Sequence, residues 1–102
     1  GKLAWIAVSK RDLEEHGLKS IDTEGYMDVL RTLGTLEVGL MFKEMENGQV
    51  RVSMRSKGSF DLNQFAQGFG GGGHPVAAGV TFNCPMEEAV EKLTPPLMKL
   101  LS

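Results

Sequence analysis

Apolar and polar residues alternate most regularly between Val38 and Ser56. There Val50, Val52 and Met54 fall on one face of an extended chain, and Arg51, Ser53 and Arg55 on the other. Asn47-Gly48 interrupts the alternation, and this pair readily takes the positive φ angles of a type I′ turn, which predicts a hairpin with a two-residue loop. In that register Glu46 faces Gln49, Glu44 faces Arg51, Phe42 faces Ser53 and Leu40 faces Arg55. The unbroken apolar run from Leu3 to Val8 predicts a buried strand, and Gly79 to Phe82 a further one.

Helical spacing takes over elsewhere. Ser9 reads as a cap for a short helix from Lys10 to His16, closed by Gly17. A second helix is expected from Thr23 to Leu33, with Tyr26, Leu30 and Leu33 on one face and Gly34 just past its end. Asp61 followed by Gln64 resembles a capping box, and Leu62, Phe65, Ala66 and Phe69 form a buried helical stripe. Val76 to Ala78 reads as a turn of small residues. Pro85 at a first helical position, with Glu87 and Glu88 behind it, starts a helix carrying Met86, Ala89, Val90 and Leu93. Thr94-Pro95-Pro96 is expected to break it, leaving a short apolar helix to close the chain. These elements predict an α/β fold: a single domain with a mixed sheet of about five strands flanked by helices, the hairpin at its centre or edge.

Composition narrows the classes of function. The 102 residues are 41% hydrophobic and 24% charged, the balance of an ordinary globular domain. A net charge of −2 argues against broad adhesion to duplex nucleic acid, so any polyanion must bind at a local basic pocket. No apolar run approaches the ~20 residues that span a bilayer, and no signal segment opens the chain. The single cysteine, Cys84, excludes an internal disulfide, reads as structural and suits a cytoplasmic location. His16 reads as solvated, the aspartates sit at cap-like positions, and no acid shares a metal-ligand spacing with a histidine.

Candidate chemistry concentrates in two segments. Gly70 to Gly73 strip the backbone of side chains, so a ligand can approach several N–H groups, which form a concave anion site in such loops. His74 follows and can donate to a phosphate oxygen or stack on a base. No Lys-Ser or Lys-Thr follows the run, so it is not a Walker loop, and a packing junction is the alternative reading. Arg55-Ser56-Lys57-Gly58 stands where the second hairpin strand runs out. The Arg55 fork suits two phosphate oxygens, whereas Arg51 has Glu44 as its expected cross-strand partner. Lys57 is either a ligand contact or an edge-strand gatekeeper.

Val52-Ser53-Met54-Arg55-Ser56-Lys57-Gly58, then an amphipathic helix, then Phe69-Gly70-Gly71-Gly72-Gly73-His74-Pro75-Val76-Ala77-Ala78-Gly79, resembles the C-terminal DHH-associated domain of the DHH phosphoesterases. That superfamily includes RecJ-type exonucleases, oligoribonucleases that also cleave phosphoadenosine phosphate, and cyclic dinucleotide phosphodiesterases. The resemblance implies a fragment of a larger hydrolase, in which an N-terminal DHH domain of the same polypeptide holds divalent metal, typically manganese. This chain is then expected to carry no cofactor and no hydrolytic activity of its own. By the same resemblance Arg55, Ser56 and Lys57 would contact phosphate, Gly71, Gly72 and Gly73 would bring backbone close to it, and His74 would reach the reacting phosphate as the catalytic residue. The implied partners are a nucleotide or short single-stranded nucleic acid, with a homodimer of the full protein also compatible. An RNA-binding module similar to the C-terminal domain of alanyl-tRNA synthetase is the alternative, and a nucleotide-sensing module a third.

Overall fold

The computed structural model describes residues 3–9, 11, 37–58 and 60–101. The two helices expected over 10–16 and 23–33 lie, apart from Arg11, outside the described residues. Within them a mixed five-stranded sheet forms from β1 (Leu3–Val8), β2 (Val38–Glu44), β3 (Val50–Ser56), β4 (Gly72–His74) and β5 (Ala77–Phe82), in the order β1-β2-β3-β5-β4. β1 runs parallel to β2 and every other neighbouring pair is antiparallel. The helices α1 (Leu62–Gln67) and α2 (Met86–Leu101) complete the described elements. No helix among the described residues is long and apolar enough to cross a membrane.

The core follows from period-two alternation meeting period-3.6 spacing. Val38, Leu40 and Phe42 of β2, Val50, Val52 and Met54 of β3, and Ala78, Val80 and Phe82 of β5 point to one face. Leu62 and Ala66 of α1 and Ala89, Leu93 and Leu97 of α2 close over them. Each large side chain so buried contributes about 1.5–3 kcal/mol against chain entropy. Beside it an aromatic series runs Phe60–Phe65–Phe69–Phe82, with successive ring centroids 6.0, 5.2 and 6.0 Å apart. Cys84 packs half-buried against the same core, as a small hydrophobe. At α1 the expected cap forms, with the Asp61 carboxylate accepting the Gln64 N–H at 3.1 Å.

Four expectations need correction. The hairpin sits near the centre of the sheet, but its register is one residue off the one expected: Leu40 faces Met54, Phe42 faces Val52, and Arg51 faces Lys43 rather than Glu44. Gly48 N–H bonds the Met45 carbonyl at 3.1 Å and Met45 N–H bonds Gln49 at 2.7 Å, so the loop has three residues. Gly48 alone takes positive φ, at 87°, which is the left-handed position that ends a type I turn with a bulge. β1 is an edge strand rather than a buried one, with Trp5 40% exposed, because an edge offers cover on one side only.

The other two corrections concern the C-terminal half. α2 runs unbroken through Pro95 and Pro96. Burial of Ala89 and Leu93 before the prolines, and of Leu97 after them, outweighs two missing N–H donors, and the Thr94 hydroxyl donates to the Val90 carbonyl at 2.7 Å. The small-residue stretch is not a simple turn either: Pro75-Val76 connects β4, formed from the glycine run itself, to β5, which starts at Ala77.

Gly48→Ala is expected to destabilise the protein by about 1 kcal/mol, the cost of a Cβ at that left-handed position, with ligand affinity unchanged. Urea denaturation midpoints of the two proteins measure it.

Candidate functional site

The helices leave the opposite face of the sheet without a described covering element at β3, β5 and β4. In register, His74 of β4 faces Ala77 of β5, which faces Arg55 of β3, which faces Gly39 of β2. Cross-strand partners share a face, so His74 and Arg55 flank the small Ala77, with Cα atoms about 10 Å apart at ~4.8 Å per strand. The next row on this face is Gly72, Gly79 and Ser53, and the one after it Thr81, Arg51 and Lys43. Among the described strand residues this face therefore carries three basic side chains, a histidine and no carboxylate. On a chain of net charge −2 that is a pronounced segregation. Glu87, Glu88 and Glu91 lie on α2, which packs on the other face.

Hydrogen bonds lock this row in place. β3 continues its pairing past Arg55, with Ser56 N–H on the Val76 carbonyl at 3.0 Å. Leu62 N–H, at the start of α1, bonds the Pro75 carbonyl at 2.9 Å. The turn after His74 is thus held by the end of β3 and the start of α1 together. Arg55 Nη1 donates to the Met54 carbonyl at 2.8 Å, which keeps its guanidinium along the strand. His74 is exposed, and Lys57 follows at the strand end, also exposed.

Ser56 departs from expectation. It points with Val52 and Met54 to the core face, is 2% exposed, accepts from Gly58 N–H at 3.2 Å and donates to the Phe60 carbonyl at 3.3 Å. Its hydroxyl ties the bend between β3 and α1 and is not presented beside Arg55.

The glycine run departs as well, since it is largely a packing junction. Gly71 N–H bonds the Ala66 carbonyl at 2.9 Å and Gly70 N–H the Gln67 carbonyl at 3.2 Å, with Gly70 at φ 83°. That is a Schellman ending for α1. A Cβ on Gly71 would fall 2.1 Å from the Gly79 carbonyl oxygen, so only glycine lets α1 and β4 settle against β5. Gly73 N–H bonds Asn63 Oδ1 at 3.0 Å. Three of the four N–H groups are thus given to protein acceptors, and the concave backbone anion site expected of the run does not form. Its bare surface nonetheless leaves the space around His74 and Ala77 unobstructed.

Arg51 is the residue that sequence reasoning undervalued. The expected Glu44 partner vanished with the register, and Arg51 Nη1 instead donates to Thr81 Oγ1 at 3.1 Å. The signal that could have exposed it was the three-residue loop. Among the described residues no group of three or more His, Cys, Asp or Glu side chains is placed to hold a metal ion. A depression of about 440 Å³ lined by Phe60, Asp61, Gln64, Phe65 and Leu100 lies on the helical side, away from these cations.

An α/β domain that buries one sheet face under α1 and α2 and carries basic and small residues on the other face of β3, β5 and β4 is the class the described residues define. A DHHA1 domain profile matches residues 6–97, and the chain belongs to that family, the DHH-associated domains. It is 33% identical over 76 residues to the probable bifunctional oligoribonuclease and PAP phosphatase NrnA of Streptococcus mutans, covering 74% of this chain and 24% of that protein. The bifunctional oligoribonuclease and PAP phosphatase NrnA of Bacillus subtilis is 32% identical over 78 residues, covering 76% and 24%. The chain thus spans about a quarter of the length of these relatives. An exopolyphosphatase-related protein from Bacteroides fragilis superposes with a TM-score of 0.86 at 29% identity, covering 96% of this chain and 29% of that one. A pGpG-specific phosphodiesterase from Vibrio cholerae shares the fold at a TM-score of 0.62 and 13% identity, covering 89% and 31%.

Gly71→Ala is expected to destabilise the protein by about 2 kcal/mol or more, whereas Gly72→Ala, whose Cβ would meet Asn63 Oδ1 at an ordinary 3.4 Å, stays within ~1 kcal/mol. Equal urea midpoints for the two variants would contradict the packing role.

Proposed function

We propose that this chain is the substrate-holding domain of a metal-dependent phosphoesterase that hydrolyses phosphodiester or phosphomonoester bonds in nucleotides and short single-stranded oligonucleotides. The observation that carries the reading is the row His74–Ala77–Arg55, a histidine and a guanidinium flanking a small residue on the open face of an acidic chain. Arg55 is suited to take two oxygens of one phosphate with its planar fork, and His74 to donate to an oxygen of the same or the neighbouring phosphate. Lys57 adds positive charge at the strand end. Gly72, Gly73 and Ala77 keep the floor low enough for a planar base or a sugar to lie flat. The names of the NrnA relatives, oligoribonuclease and PAP phosphatase, support this substrate class.

The described residues supply binding and orientation, not a metal centre. In this reading the divalent metal, manganese by the family resemblance, belongs to an N-terminal DHH domain of the same polypeptide. Holding a substrate phosphate fixed against such a domain removes translational and rotational freedom from the reacting pair, and that is this domain's share of the rate.

In the full-length protein, Arg55→Ala and His74→Ala are each expected to lower kcat/KM on a diribonucleotide by about two orders of magnitude, with melting temperatures unchanged. Steady-state assays with manganese check this, and near-normal turnover in both variants would overturn the site. The 102-residue chain alone is expected to release no mononucleotide under the same conditions. Robust hydrolysis by it would refute the division of labour.

A further inference from the structure

The third row of the open face holds an arrangement that the His74–Arg55 row leaves unexplained. Lys43 and Arg51 stand directly opposite each other across β2 and β3, and like charges so placed destabilise a sheet. No carboxylate faces either residue in the sheet register, since Arg51 is flanked on its other side by Thr81. The Arg51 guanidinium is held rather than solvated at random. Nη1 donates to Thr81 Oγ1 at 3.1 Å, and a Cβ on Gly79 would lie only 2.5 Å from Nη2. The group therefore lies over Gly79, one row nearer to Arg55 than its own Cα. Between the two basic rows β4, β5 and β3 carry Gly72, Gly79 and Ser53 on this face, with Met41 beside Ser53 on β2 and no carboxylate in the row.

Resting on the phosphoesterase reading, we infer that Lys43, Arg51 and Thr81 form a second phosphate subsite, which grips the backbone of a single-stranded oligonucleotide beyond the nucleotide held by His74 and Arg55. The Thr81 hydroxyl orients the guanidinium and Gly79 gives it room, while the Lys43 ammonium supplies a second positive charge toward the same phosphate. The spacing sets the reach. Arg55 and Arg51 are four residues apart on one strand, about 13 Å at 3.3 Å per residue. The guanidinium leans one row inward over Gly79, which leaves about 7 Å, and a stacked strand advances ~3.4 Å per nucleotide, so this subsite meets a phosphate roughly two nucleotides along. A nucleoside bisphosphate, whose phosphates belong to one nucleotide, is too short to reach it in this stacked geometry. The subsite thus favours longer chains over mononucleotides without touching the reacting bond.

The test is a chain-length series on the full-length protein: a 3′,5′-nucleoside bisphosphate and single-stranded oligoribonucleotides of two to seven nucleotides, with wild type, Arg51→Ala, Lys43→Ala and Arg55→Ala. Arg51→Ala is expected to raise KM for the five- to seven-nucleotide substrates about tenfold, the worth of one charge-assisted contact, and to leave the bisphosphate unchanged. Lys43→Ala follows the same pattern more weakly. Each also lowers the salt dependence of binding to the longer chains by ~0.7 in the log–log slope. Arg55→Ala weakens every length alike. A loss independent of length in Arg51→Ala, or no loss at any length, overturns the second subsite while leaving the primary site standing. A wild type inert on every substrate of the series overturns the phosphoesterase reading and the subsite with it.

Discussion

Everything on the open face depends on one close approach of backbone to backbone, Gly71 against the Gly79 carbonyl. Any side chain at Gly71 would occupy the space of that oxygen, 2.1 Å from its Cβ, and would push α1 and β4 away from β5. Because the contact is allowed, α1 ends in a Schellman turn, the chain reverses direction within a few residues, and β4 adds to the sheet as its last strand. That addition brings His74 into the same row as Arg55, although the two are separated by a helix and a glycine run in sequence. The glycines therefore act on the site at one remove: they position a histidine rather than cradle an anion.

The sheet divides labour between its faces. One is apolar from β2 through β5 and is closed by α1 and α2, so burial on that side supplies the stability. The other has no described element packed on it at β3, β5 and β4 and accumulates charge of one sign. Ser56 marks the boundary between these roles. Its hydroxyl satisfies the bend that carries the chain from β3 to α1, a polar group at the rim of the core that has its partners within the protein. Repulsion among Lys43, Arg51 and Arg55 in one open face is tolerable because water screens it, and it makes the face ready for a polyanion.

Membership of the DHHA1 family places this architecture beside proteins about three times its length. In the proposed reading the domain grips and orients its substrate, and the spacing of the two basic rows along β3 sets the selectivity.

Much of this was legible in the sequence. The amphipathic alternation of Val50 to Arg55, the Asp61 cap and the motif joining Arg55 to His74 are local patterns, and the chain alone determined the hairpin, the capped helix, the core face and the family. Three matters were decided only in three dimensions. Register turned on a single residue of the Asn47-Gly48 loop, because a type I turn with a bulge shifts every cross-strand pair by one, and this removed Glu44 from Arg51. β4 left no propensity signal, since glycines enter a strand only where a neighbour's backbone invites them. The helix crossed Pro95 and Pro96 because buried side chains on either side outweighed the local penalty. Local chemistry thus chose the residues of the glycine–histidine segment, and long-range packing chose what each of them does.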